Sequence, residues 1–249
     1  MTIPKIIMQT WKTHEVPEKW QSSPQAIARL MPEYQYYLFS DEDNERFVRK
    51  CFPQYLPLWN SLKYGIQKAD VVRYMFLYQY GGYYLDLDLE PQKSFDELPQ
   101  ADLLLVPSAN NKNCLTNSFL GSVPKHPFWL ELLDNLNKPP AWALGKHLEV
   151  MYSTGPGILN KVIKNSSFSF LSLSPLLLGS ACICNYNKES PGTFFKTLEG
   201  GSWLSPEYMF FMKLFLCSGT TLLAVVLGVL LVLVVLSLTF LRFPSDSLA

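Results

Sequence analysis

The stretch Ala69-Asp70-Val71-Val72-Arg73-Tyr74-Met75-Phe76-Leu77-Tyr78-Gln79-Tyr80-Gly81-Gly82-Tyr83-Tyr84-Leu85-Asp86-Leu87-Asp88 decides how this chain is read. Residues 63–80 place Ile66, Ala69, Val72, Phe76 and Leu77 at a spacing that predicts a helix. Gly81 is its natural stop, because glycine enters the left-handed region without steric penalty. Beyond the glycine pair, residues 84–89 alternate. Leu85, Leu87 and Leu89 share one face of a predicted strand, and Tyr84, Asp86 and Asp88 share the other. Two carboxylates held together repel unless a cation lies between them. Hard oxygen ligands suit Mg²⁺ or Mn²⁺, which carboxylates commonly share with phosphate oxygens. The pattern therefore points to a divalent-metal site for a nucleotide diphosphate at the tip of a strand. Asp70 and Arg73, one turn apart on the helix, share a face. Beside a metal they can grip sugar hydroxyls or phosphate; elsewhere they are an ordinary surface ion pair.

Working outward, residues 5–10 and 34–39 read as strands, and 24–30 and 42–52 as helices. Residues 102–107 form a further apolar strand and 127–137 an amphipathic helix, whereas 164–192, rich in Ser, Leu, Pro and Asn, read as irregular. Such alternation implies an α/β sheet with helices on both faces. Its ligand is expected at the carboxyl ends of the strands, where Asp86 and Asp88 fall.

The chain has 249 residues and a formal net charge of zero, which argues against a nucleic-acid binder, since that would need a basic footprint. The five cysteines form no C-x-x-C pair and read as free thiols, and His14, His126 and His147 suggest no hydrolytic triad. Residues 214–241 are 28 positions without a charge, bounded by Lys213 and Arg242. About 20 such residues cross a bilayer core, so a membrane-spanning helix is expected here. The expected organisation is a catalytic domain over 1–212, a transmembrane helix over 213–242 and a short tail over 243–249. The N-terminal apolar run, Ile6-Ile7-Met8, is too short for a signal peptide and fits a strand.

Two motifs carry a family resemblance. A-D-x-x-R-Y followed by Y-G-G-x-Y-x-D-x-D, with Ile3-Pro4-Lys5-Ile6-Ile7-Met8-Gln9-Thr10-Trp11-Lys12 some 60 residues earlier, resembles the DXD-type glycosyltransferases of family 32. These include fungal mannosyltransferases acting on glycoproteins and on inositol phosphorylceramide, and are related to bacterial glucosylating toxins. The resemblance, over roughly residues 3–203, implies a GT-A type, Rossmann-like nucleotide-sugar-binding domain. It implies that Asp86 and Asp88 contact the metal, Mn²⁺ or Mg²⁺, and the diphosphate. Asp70 and Arg73 would contact the transferred sugar, with Tyr84 and Gly82 beside the donor. Trp11 would pack on the base, for which a planar indole is suited. Ser153-Thr154-Gly155-Pro156-Gly157 resembles a turn bordering the acceptor, and Gly201-Ser202-Trp203 resembles the closing G-x-S-W, which adds Ser202 and Trp203 to the donor site.

The implied reaction is retaining transfer of a hexose, mannose foremost, from GDP-mannose or a UDP-hexose to a lipid or glycan acceptor. Inositol phosphorylceramide is the expected acceptor, at a membrane of the Golgi or another endomembrane. The sequon Asn165-Ser166-Ser167 is usable only on the luminal side. Met8 and Thr197 stand where relatives usually carry histidine. An alternative is thus a membrane-anchored sugar-nucleotide or lipid-binding protein without turnover.

Overall fold

The computed structural model describes residues 2–108, 113–136, 138–174 and 193–201, with 204, 209, 210 and 213 beyond them. The chain divides into two compact units, Met1–Trp203 and Leu204–Ala249. The expected membrane span, Ser202, Trp203, Cys182, Cys184 and Cys217 lie outside the described residues. Among those described, no helix is long and apolar enough to cross a membrane.

The first unit runs β1 (Ile6–Thr10), α1 (Ser22–Leu30), β2 (Gln35–Phe39), α2 (Asp41–Cys51), α3 (Leu56–Ser61), α4 (Gly65–Tyr80), β3 (Gly82–Leu85) and β4 (Leu89–Pro91). It continues through β5 (Leu103–Pro107), β6 (Leu115–Ser122), α5 (Pro127–Asn135), α6 (Lys146–Ser153), α7 (Pro156–Asn165), β7 (Leu171–Ser172) and β8 (Phe195–Thr197). Six strands form one sheet in the order β2-β1-β3-β6-β5-β7, and β4 pairs with β8 in a separate ribbon. β1 is parallel to both β2 and β3. β6 is antiparallel to β3 and to β5, which makes the sheet mixed.

Side-chain alternation sends successive residues to opposite cores. Met8, Tyr84, Leu103, Leu105 and Leu120 face one core, shared with α2, α4, α5 and α7. Ile7, Tyr83, Leu85, Leu104 and Phe119 face the other, shared with Ile27 and Met31 near α1 and with Leu89 and Phe195 of the ribbon. Helices do cover both faces as expected, but the second face is shared with a β-ribbon.

Two helices matter most for the site. α2 begins with Ser40, whose hydroxyl accepts from the Asp43 N–H (3.2 Å) while the Asp43 carboxylate accepts from the Ser40 N–H (2.9 Å). This reciprocal cap fixes where the chain leaves β2. α4 is buried without interruption from Asp70 to Leu77, as befits a central helix that touches neighbours all round. Gly81 ends it with φ +67°. A Cβ there would meet the Pro124 nitrogen at 2.6 Å, so only glycine fits.

Candidate functional site

β3 stops at Leu85, and Asp86–Leu89 form a tight turn closed by the Leu89 N–H on the Asp86 carbonyl (3.1 Å). The expected strand alternation over 84–89 therefore does not hold. Leu85 and Leu89 enter the core beneath α1, but Leu87 packs apart from them with Trp20 and Leu198. A turn, rather than the pleat of a strand, carries both carboxylates into one cleft. The cleft has a volume of about 280 Å³, and Trp11, Arg73, Tyr84, Asp86 and Asp88 all line it.

Buried polar groups clamp both ends of this turn. The Gln9 amide nitrogen donates to the Asp86 carbonyl (3.4 Å) and to the Ser23 hydroxyl (3.0 Å). Ser23 in turn donates to the Leu89 carbonyl (2.7 Å), and Tyr36 donates to the Gln9 side-chain oxygen (2.9 Å). Gln9 and Ser23 are wholly buried, so each bond satisfies a group that would be costly unpaired. The Asp86 N–H donates to the Ser118 carbonyl (2.8 Å), and the Leu198 N–H to the Asp88 carbonyl (2.8 Å).

Arg73 sits at the centre of the carboxylates. Its Nη1 donates to Asp86 Oδ1 (3.1 Å) and to the Asn117 carbonyl (2.8 Å), and its Nη2 lies 3.2 Å from Asp70 Oδ1. The guanidinium lies 4.2 Å from the centre of the Tyr84 ring, and the Tyr84 hydroxyl donates to the same Asp86 oxygen (2.6 Å). Asp70 is 3% exposed and is not part of the cleft wall. Its Oδ1 accepts from the Asn117 amide (2.8 Å) and its Oδ2 from the Thr154 hydroxyl (3.0 Å). The sequence reading placed Asp70 against the sugar; the structure places it behind Arg73, as the group that orients it.

The turn at Thr154-Gly155-Pro156 belongs to the same support. Thr154 closes α6, Gly155 caps α7, and Pro156 starts it, a position that needs no N–H. Thr154 is buried and also accepts on its carbonyl from Tyr74 (2.9 Å), so this turn braces Asp70 from the interior. Gly82 is likewise no part of the cleft wall. Its φ is +87°, and a Cβ there would come within 2.5 Å of the Ile6 carbonyl oxygen, so it is glycine to let β1 approach β3. Met8 is fully buried in the apolar core.

Electrostatically, burial pushes the Asp88 carboxyl up to about 7, with the Asp86 charge adding to the shift. Burial also raises Asp86, opposed by Arg73 and by the Tyr84 hydrogen bond, and raises Asp70 to about 6. A divalent cation would relieve this repulsion, and the donor set, two carboxylates opening on a polar cleft, fits a hard ion that takes its remaining ligands from phosphate and water. Among the described residues no third His, Cys, Asp or Glu joins the two.

Trp11 also lines the cleft, packed T-shaped against Trp20 with ring centres 4.9 Å apart and beside the cluster that holds Leu87. The Trp20 indole donates to the Glu199 carbonyl (2.8 Å), drawing residues 198–201 over the turn. At Gly200 a Cβ would overlap the Asp88 carboxylate. Sequence reasoning missed Gln9, Ser23, Asn117 and Gly200. Gln9 stood inside the flagged N-terminal motif and Gly200 beside the flagged Gly201-Ser202-Trp203, while Ser23 and Asn117 carried no signal.

Residues 17–104 match the profile of the glycosyltransferase sugar-binding region containing a DXD motif. The chain is 36% identical over 218 residues to inositol phosphoceramide mannosyltransferase 3 of Schizosaccharomyces pombe, covering 84% of this chain and 59% of that protein. It is 33% identical over 213 residues to mannosyl phosphorylinositol ceramide synthase SUR1 of Saccharomyces cerevisiae, covering 81% and 52%. The chain thus spans just over half the length of these relatives. Among solved structures, the PaToxG glycosyltransferase aligns over 66% of this chain and 69% of its own, with a TM-score of 0.48 and 18% identity. The chain thus carries a region that matches the DXD-containing sugar-binding region of glycosyltransferases over residues 17–104, and is similar over most of its length to inositol phosphoceramide mannosyltransferases.

Proposed function

We propose that this chain transfers mannose from a nucleotide-sugar to inositol phosphorylceramide, on a GT-A type domain held at an endomembrane by residues 213–242. The observation that carries the reading is the Asp86–Leu89 turn, which offers two carboxylates to a cleft that Trp11 also lines. The names of the similar proteins favour mannose and the inositol phosphorylceramide acceptor. The chargeless run over 214–241 supports the anchor.

Asp86 and Asp88 would hold a Mn²⁺ or Mg²⁺ ion, which when bound supplies Lewis-acid stabilisation of the departing diphosphate. Arg73 holds Asp86 in place and opposes the upward shift that burial imposes on it, and Asp70 and Asn117 keep Arg73 aimed. Trp11 offers its ring face as a platform for the base. The acceptor hydroxyl bonds to the anomeric carbon as the bond from that carbon to the diphosphate breaks. The freed diphosphate oxygen takes the hydroxyl proton, with no protein nucleophile required.

The test is the purified full-length chain in detergent, given GDP-mannose or UDP-glucose with and without Mn²⁺. Mannosyl transfer to inositol phosphorylceramide that disappears in Asp88→Ala, without loss of fold, is expected. Transfer that persists in Asp88→Ala would remove the reading.

A further inference from the structure

Ahead of α6 the chain makes a compact turn. The Ala143 N–H donates to the Pro140 carbonyl (2.8 Å) and the Leu144 N–H to the Trp142 carbonyl (2.9 Å). Ala143 is buried, whereas Trp142 is 59% exposed and Leu144 78%. The turn tucks an alanine inward and holds two large apolar side chains outward. On α6, Tyr152 is exposed as well and meets the Trp142 ring T-shaped, with centres 4.6 Å apart. Gly157 leaves room for that tyrosine, since a Cβ there would come within 2.9 Å of its ring. Single exposed apolar residues are ordinary, but several gathered on one built surface mark a contact site.

This patch stands beside the donor cleft. Lys146, two residues after Leu144, lines the cleft together with Asp86 and Asp88. α6 is fastened to α4 along its length. Glu149 accepts from the Tyr64 hydroxyl (3.1 Å) and pairs with Lys63 (3.2 Å), the Gln67 amide donates to the Ser153 hydroxyl (2.8 Å), and Thr154 donates to Asp70 (3.0 Å). Patch and cleft are therefore fixed to one another. The charge around the patch has one sign: residues 135–148 hold Lys138 and Lys146 and no carboxylate, and the next carboxylate, Glu149, is already paired. Tryptophan and tyrosine carry an apolar body with a polar tip and settle at the boundary between bilayer and water. Lysine reaches from such a boundary to lipid phosphates.

We propose that Trp142, Leu144 and Tyr152 form a lip that seats in the interfacial layer of a lipid bilayer and holds the neighbouring cleft at the membrane surface, with the exposed Lys138 among the lipid phosphates. The inference rests on the reading of the chain as membrane-held with a lipid acceptor. Such an acceptor leaves its acyl chains in the bilayer, so a cleft that serves it has to meet the membrane. A tether brings an enzyme to a bilayer; a lip decides which face the enzyme presents.

The experiment is tryptophan quenching of the full-length chain in vesicles of phosphatidylcholine and phosphatidylserine with dibrominated acyl chains. Trp142→Phe keeps an apolar ring and removes the indole, so the difference between wild type and variant is the emission of Trp142. That difference signal is expected to lose most of its intensity in brominated vesicles relative to unbrominated ones. Leu144→Glu should restore the intensity, because a carboxylate opposes seating at the interface. Leu144 is largely exposed, so its variant keeps the fold, and an unchanged melting temperature checks this. Quenching of the difference signal by acrylamide instead of by the brominated chains would leave the patch in water. Protection from both quenchers would put another segment of the chain, or a second copy, over it. Either result, or lipid quenching that survives Leu144→Glu, overturns the lip and leaves the membrane reading standing where the chain floats with the vesicles. A chain that does not float with them removes both.

Discussion

Arg73 reaches Asp86 across 3.1 Å with a side chain that is itself only 3% exposed, so one carboxylate of the pair is held by a buried cation before any ligand arrives. Removing that cation strands Asp70 and Asp86 together. Breaking a buried pair from one side costs about 3–5 kcal/mol. Arg73→Met should therefore lower unfolding free energy by roughly that amount in a denaturant titration. A loss below about 1 kcal/mol would mean the pair is solvated as a surface bridge is. Arg73→Lys should recover part of the stability, because it keeps the charge but not the fork that meets Asp70, Asp86 and the Asn117 carbonyl at once.

Gly200 makes room for Asp88. A methyl group there overlaps the carboxylate, which must then swing out of the cleft. Gly200→Ala is expected to keep its far-ultraviolet circular dichroism and to lose at least about tenfold in Mn²⁺-dependent GDP affinity, which is about 1.4 kcal/mol. Unchanged nucleotide affinity would show that Asp88 does not bind there.

The raised carboxylates give the ligand-free chain a pH dependence of definite sign. Unfolded, Asp88 titrates near 3.8; folded, it titrates near 7. Between those values the folded state holds a proton that the unfolded chain has released, so stability falls as pH rises. Asp70, at about 6, acts in the same sense over the lower part of that window. Melting temperature without ligand should decline from pH 4.5 to 7.5, and Asp88→Asn should flatten the decline. Cation and nucleotide affinity should move the other way, rising through pH 7 as Asp88 ionises. A melting temperature that climbs over this range in the wild type but not in Asp88→Asn would contradict the assignment.

Gly82 separates architecture from chemistry. With φ at +87° and the Ile6 carbonyl against its α-carbon, Gly82→Ala should cost at least about 1–3 kcal/mol from backbone strain alone. The fraction that still folds should bind nucleotide as the wild type does, because the residue does not line the cleft. Selective loss of nucleotide affinity with unchanged melting would place Gly82 in the site after all.

Much of this was legible in the sequence where one residue type serves one purpose. β1, β2, α2, α4 and β5 follow their apolar periodicity to within two residues at each end. The charged residues that build the site were also visible, but their roles were not. Asp70 and Arg73 look alike on a helical wheel and are equally buried; their partners tell them apart, and those come from β6 and the turn between α6 and α7, which no strong periodicity announced. β6 was missed because Thr116, Asn117, Ser118 and Gly121 interrupt its pattern. Those interruptions bring Asn117 to Asp70 and Arg73 and the Ser118 carbonyl to Asp86. The turn at Asp86–Leu89 was read as strand because its leucines are all buried, and burial on two different cores imitates alternation.

The hydrogen bond from Trp20 to the Glu199 carbonyl joins positions 179 apart in sequence. The segment bearing Gly200 thus arrives at the cleft only after the intervening sheet has formed, since such long loops close slowly. A refolding chain would show its helices and its sheet first. Competence to bind would come with a later phase, when that last clasp engages.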